Sequence, residues 1–198
     1  MLESIIGRLG PYLDCKSTLK NTSYDSAKQH YMTQSTYSVF NFDNIKNKYL
    51  RGLESKPAET PCSNDALVHI GSELYFIEFK NGAIDNVENY ELKQKILESL
   101  LILLSIINET IDFTRHHVSY ILVYNNALNH RSKFYTTESA VVNSTPSRYA
   151  IISATARKAG KNVANFDLER YKSIYFQNVY TYSETEFKSE FTGKFLDC

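Results

Sequence analysis

The sequence is poor in cysteine, carries no net charge and has no long hydrophobic run. Cys15, Cys62 and Cys198 are odd in number and show no CxxC or Cys/His pairing, which argues against a disulfide framework and against a zinc site and fits a reducing, cytoplasmic setting. The longest near-apolar stretch, Ile96 to Ile107, carries Glu98 and is too short to span a bilayer. Glu3 and Arg8 interrupt the apolar residues at the N-terminus, which spoils them as a signal peptide, so the expectation is no membrane segment. There is no internal repeat, P-loop, GxGxxG, Ser-His-Asp constellation or named nucleic-acid-binding module. What remains is globular: 198 residues, 42% apolar and 13% aromatic, enough for one domain with a sizeable core.

The most informative stretch runs from Ser63 to Gly82 and reads as a hairpin. Ala66, Val68 and Ile70 alternate with Asp65, Leu67 and His69, Gly71-Ser72 supplies turn chemistry, and a β-rich run from Leu74 to Lys80 follows. Glu78 and Lys80 are two apart and therefore leave one face of one strand, shared with Phe76, while Tyr75, Ile77 and Phe79 cover the other. Both faces read as buried, and charges there are costly without a purpose. A pairing hairpin brings Asp65 to the same place, giving two carboxylates and an ammonium, the outline of a Mg²⁺ site.

Asp65, then Glu78-Phe79-Lys80 on an apolar strand, then a long helix, resembles the core of the PD-(D/E)xK nuclease superfamily. The resemblance covers roughly residues 43–125. It implies an α/β, restriction-endonuclease-like core with a central mixed β-sheet flanked by helices, and Mg²⁺-dependent hydrolysis of phosphodiester bonds, with Mn²⁺ as a substitute and DNA the expected substrate. In such a site Asp65 and Glu78 hold the metal together with the carbonyl of Phe79, and Lys80 lies beside the attacking water. Lys93 or Gln94 would match the auxiliary residue of the following helix, and Asp43, Glu54 and Glu59 are all open as the helical acid that many members place before the Asp. Two departures stand out: Pro61 lies four residues before Asp65, and Gln94 is followed by Glu98, where one variety of the family has Tyr. The alternative is a non-catalytic nucleic-acid-binding or protein-interaction module on the same scaffold. Restriction, phage defence, repair and mobile elements are the contexts that the resemblance suggests, and a homodimer stays open because nucleases that cut both strands often pair.

The rest of the chain supplies supporting expectations. Residues 1–35 read as an N-terminal extension or cap, with short helices over Leu2 to Leu9 and around Ser26 to Met32. Asp43 reads as the N-cap of a helix striped by Ile45, Tyr49, Leu50 and Leu53 and ended by Lys56-Pro57. A five-turn helix from about Glu88 to Glu109, apolar over most of its circumference, leads to a strand from Val118 to Tyr124, which makes a βαβ unit. His116-His117, just before that strand, read as ordinary residues. Residues 126–198 complete the domain, and Ser183-Glu184-Thr185-Glu186 forms a capping box before a short helix whose Phe187, Phe191 and Phe195 suit core packing better than base stacking. Charge is uneven, with nine Lys and Arg against three Asp and Glu over residues 113–172. Arg131, Lys133, Arg148, Arg157, Lys158 and Lys161 are the expected track for a polyanion backbone.

Overall fold

A computed structural model describes residues 2–129 and 164–196. Its centre is a six-stranded mixed sheet flanked by helices. In chain order the sheet strands are β1 (Lys16–Thr18), β4 (Ser38–Asn41), β5 (Ala66–Ile70), β6 (Glu73–Lys80), β7 (Val118–Tyr124) and β8 (Val179–Ser183), and they also lie side by side in that order. The β1–β4, β4–β5 and β5–β6 pairs are antiparallel, whereas β6–β7 and β7–β8 are parallel. A separate two-stranded hairpin, β2 (Tyr24–Asp25) with β3 (His30–Tyr31), stands apart from the sheet.

The expected hairpin is present, with Gly71 in the left-handed region at φ 58° where a glycine is least strained. The helices are α1 (Leu2–Arg8), α2 (Leu19–Thr22), α3 (Phe42–Arg51), α4 (Asn86–Ile107), α5 (Ile111–His117) and α6 (Glu184–Phe187), the last continuing as a π-helix over Lys188–Leu196. Helix α4 is 22 residues long, and the Asp85 carboxylate caps it by accepting from the amides of Val87 and Glu88. It ends at Asn108 in the left-handed conformation and connects parallel β6 to β7, as a βαβ unit requires. No helix among the described residues is long and apolar enough to cross a membrane.

Two cores sandwich the sheet. Leu67, Leu74, Phe76, Tyr120, Leu122 and Tyr124 face the side covered by α1, α3 and α4. Ala66, Val68, Ile77, Ile121 and Val123 face the other, where Leu19, Met32, Phe187 and Phe191 pack on them. The Ser183 capping box forms, and Phe187 and Phe191 are buried while Phe195 is exposed.

Several local expectations are corrected. Asn41, not Asp43, caps α3: the chain passes from β4 into the helix without a loop, so the Asn41 side chain is the one placed to accept the Asn44 amide, at 2.9 Å. Helix α3 stops at Arg51, well before Pro57. The segment around Ser26 to Met32 is not helical, because Asp25 accepts the amides of Ala27 and Lys28 and Gln29 takes a positive φ, which together turn the chain back into β3. His116 and His117 form the end of α5, directly before β7. Residues 130–163, including Arg131, Lys133, Arg148, Arg157, Lys158 and Lys161, lie outside the described residues.

Candidate functional site

Register alone brings the two acids together. Ala66 pairs with Ile77 across β5 and β6, so continuing one step sets Asp65 opposite Glu78. Directly opposed side chains on antiparallel strands have Cβ atoms about 4.5–5.5 Å apart. Both belong to the face of Leu67 and Phe76, beneath α4. Lys80 follows on that face at the end of β6.

The loop before β5 is fastened at several points, and this fixes Asp65. The Cys62 amide donates to Glu98 of α4, the Asn64 amide donates to Ser99 Oγ at 2.8 Å, and the Ser63 hydroxyl donates to Asp43 of α3. The Asp65 carbonyl accepts the Phe42 amide at 3.1 Å, and its Oδ2 accepts the Phe79 amide at 2.7 Å. Asp65 therefore caps the end of the β5–β6 ladder, satisfying an N–H at the point where strand pairing stops. The Phe79 amide is thus engaged by one of the two acids, and its side chain packs on the opposite face against Phe187.

Glu78 is 1% exposed. Its Oε1 accepts from Lys95 Nζ of α4 at 2.6 Å, while Oε2 is buried with no hydrogen-bond partner among the described residues. Tyr120, opposite Phe76 on β7, is also fully buried with a partnerless hydroxyl. An orphaned acceptor and an orphaned hydroxyl on one buried face leave polar capacity that the described residues do not fill.

The electrostatics follow from this enclosure. Asp65 keeps some solvent contact over its surface, but its carboxyl is deep enough that burial is the largest influence on it, followed by the charge of Glu78. Together they hold it well above the usual carboxylate range, although Lys95 and the Phe79 amide pull the other way. Burial likewise raises Glu78 against the opposing pull of Lys95. Desolvation pulls the Lys95 ammonium down, but Glu78 and Asp65 outweigh it and the net shift is upward. The Tyr120 hydroxyl is driven well up by burial and then by Glu78 and Asp65.

Of the residues named from sequence, Asp65, Glu78, Lys80 and Asp43 gather here. The Lys80 ammonium pairs with Glu88 in the first turn of α4. Asp43 lies close enough to raise the carboxyl of Asp65, and it binds Lys46 Nζ at 3.0 Å. Glu54 and Glu59 are exposed in the loop after α3. Lys93 pairs with Asp167 at 3.8 Å, and the Gln94 amide donates to Glu98 at 3.0 Å. The helical residue that reaches Glu78 is instead Lys95, which the sequence reading did not name. A signal existed, because Lys95 lies three residues after Leu92 and four before Ser99, both buried, and so is a cation on the apolar stripe of its helix.

A cleft of about 330 Å³ opens beside these residues, lined by Asp65, Phe79 and Lys80 from the sheet side, by Glu88 of α4 and by Tyr24 and Lys28 from the β2–β3 hairpin. Its floor at the C-terminal ends of β6 and β7 is tied by asparagines: Asn125 Nδ2 donates to Asn81 Oδ1 at 2.8 Å, and Asn129 Nδ2 donates to the Gly82 carbonyl at 2.8 Å. The carboxyl ends of parallel strands are where open α/β sheets bind ligands.

Asp65 and Glu78 are two opposed carboxylates that could hold a hard cation: Glu78 Oε2 has no partner among the described residues, and Mg²⁺ commonly takes one or two protein carboxylates and keeps its waters. Among the described residues, no three His, Cys, Asp or Glu side chains gather as a metal centre, so any binding rests on this pair plus backbone and solvent. Comparison with protein-family models, curated proteins and solved structures gave no match.

Proposed function

We infer that the chain is a Mg²⁺-dependent nuclease of PD-(D/E)xK type, hydrolysing phosphodiester bonds, with DNA the expected substrate. The observation that carries the reading is the opposition of Asp65 and Glu78 on adjacent strands beneath α4, with Glu78 Oε2 left unpartnered. Order of elements supports it as well: an acid-bearing helix, a hairpin with the two acids, a long crossover helix and a parallel return strand.

Asp65 and Glu78 would hold the cation, with the Phe79 carbonyl as third ligand. The bound ion would neutralise charge on the phosphoryl oxygens and lower the pKa of a coordinated water. Lys95 opposes the effect of burial on Glu78, favouring its anionic, ligating form, and holds its carboxylate through Oε1. Lys80, on the same face and lining the cleft, is placed to orient water or stabilise developing charge once it leaves Glu88. Asp43, buttressing Ser63 and Lys46, takes the place of the helical acid.

One observation favours the non-catalytic alternative. Both lysines already have carboxylate partners and Asp65 already caps the Phe79 amide, so the cluster is partly self-sufficient as structure. Incubation with plasmid and with labelled single strands in Mg²⁺, Mn²⁺ and EDTA decides between them. The expected result is cation-dependent cleavage that Asp65→Asn and Glu78→Gln each reduce by at least a hundredfold, on the order of 3 kcal/mol of barrier. No cleavage of any substrate by the wild-type chain, or cleavage indifferent to both substitutions, removes the nuclease reading.

A further inference from the structure

The β2–β3 hairpin is poorly explained by packing. Tyr24 is 43% exposed although it belongs to a hairpin only two residues long on each side, and it lines the cleft that Asp65 opens into. Its ring stands against Tyr31, centroids 4.5 Å apart with the planes tilted by 36°. Behind Tyr31 the Lys20 ammonium lies 4.8 Å from the ring centroid. Lys28, exposed between the two strands, places one ammonium hydrogen on the Asn81 carbonyl at 2.6 Å and has two more donors to offer. A π-face open to a cleft, backed by a second ring and flanked by cations, is the chemistry that holds an unpaired base with its phosphate.

We propose that the Tyr24–Tyr31 pair is a stacking platform for one base of a single-stranded nucleic acid, which the hairpin guides into the cleft beside Asp65. The proposal names the substrate class for the site inferred above and rests on that reading for its meaning, though not for its test. Cleft size agrees with it. At about 330 Å³ the space is near the lower end for a small-ligand pocket, roughly 300–1,000 Å³, and suits one nucleotide. In a duplex the bases are stacked on one another and paired, so none can lie on Tyr24 unless the strand is open. A strand entering there sets the adjoining phosphate toward Asp65 and Lys80, which line the same cleft.

The test is binding of a fluorescein-labelled oligothymidylate and of a labelled duplex to the full chain in EDTA, read by anisotropy. A second single strand carrying one 2-aminopurine reports stacking by its fluorescence. The expected result is a preference for the single strand, an affinity about 5- to 150-fold weaker in Tyr24→Ala, and retention within about twofold in Tyr24→Phe. Tyr24→Leu keeps apolar contact with Tyr31 but has no π-face, so it should weaken binding as Tyr24→Ala does while holding the wild-type Tm. Equal affinity for duplex and single strand, or wild-type affinity in Tyr24→Leu, overturns the proposal. Tyr24-dependent binding without any cleavage in Mg²⁺ would sink the nuclease reading and leave the platform standing. Cleavage of single strands that is indifferent to Tyr24 would do the reverse.

Discussion

Replacing Asp65 with Asn removes a charge from the enclosed face but keeps an amide oxygen able to accept the Phe79 amide, the one hydrogen bond that Asp65 Oδ2 receives. The native fold holds this carboxyl well above its ordinary range through burial and Glu78. An acid whose pKa is raised on folding favours the folded state when protonated and costs stability as pH rises through its folded value, a cost that an uncharged side chain escapes. Asp65→Asn should therefore leave the EDTA-treated protein as stable as wild type or more so. A cation that binds only the folded state works in the opposite sense, adding RT ln(1 + [L]/Kd), about 2.7 kcal/mol at a hundredfold excess over Kd. At about 2–4 °C per kcal/mol for a chain of this size, wild type should gain roughly 5–11 °C in Tm with saturating Mn²⁺. Asp65→Asn should lose that gain. Differential scanning fluorimetry with and without Mn²⁺ reads both effects. A variant that melts several degrees lower in EDTA yet keeps its full Mn²⁺ response would identify Asp65 as a structural cap and refute the reasoning.

The same linkage predicts a pH signature: with Asp65 and Glu78 both raised, their contribution to stability is present below the ordinary carboxylate range, near pH 4, and is lost as pH rises through their folded values. The Tm of metal-free Asp65→Asn minus that of wild type should grow from pH 4 toward 8, a comparison that cancels the opposite slopes of Asp25 and the exposed Asp14 and Glu190; a flat difference would count against the raised pKa. Lys95→Met strands the buried Glu78 charge and should destabilise by about 3 kcal/mol at pH 7 in urea denaturation, near the lower end for breaking a buried pair because Lys95 is 29% exposed. Adding Glu78→Gln should recover most of that loss, and failure to recover would mean that Lys95 acts through packing alone.

What the sequence disclosed followed from how much of each element is dictated locally. The β5–β6 hairpin was legible because two short β-rich runs flank a turn that needs a residue tolerant of φ 58°, which Gly71 supplies. Helix α4 and strand β7 were legible because each is long and its burial is nearly complete on the relevant faces. By contrast β1 is three residues and β4 four, too short for a period to appear, and they exist because β4 pairs on the edge of β5 and β1 in turn on the edge of β4. The α3 cap was misplaced by two residues since Asn41 and Asp43 are both good caps, and only the β4 register, which ends pairing at Asn41, chooses between them.

The carboxylate pair could be found from sequence because it depends on a register that the hairpin fixes by itself. Lys95 depends on the rotation of α4 above the sheet, and that rotation is set by packing partners scattered over the chain: Phe42 and Ile45 of α3, Leu67 of β5 and Phe76 of β6 belong to the same core as Leu92, Ile96 and Leu100. Position on the stripe nevertheless carries information. A lysine flanked at helical spacing by buried Leu92 and Ser99 has to bury its stem, and the attraction between its ammonium and the Glu78 carboxylate 2.6 Å away offsets the desolvation of the two charges, whereas Lys93 reaches outward to Asp167. The anion on the strand thus selects its cation from the helix through Oε1, and Oε2 of Glu78 finds no donor among the described residues.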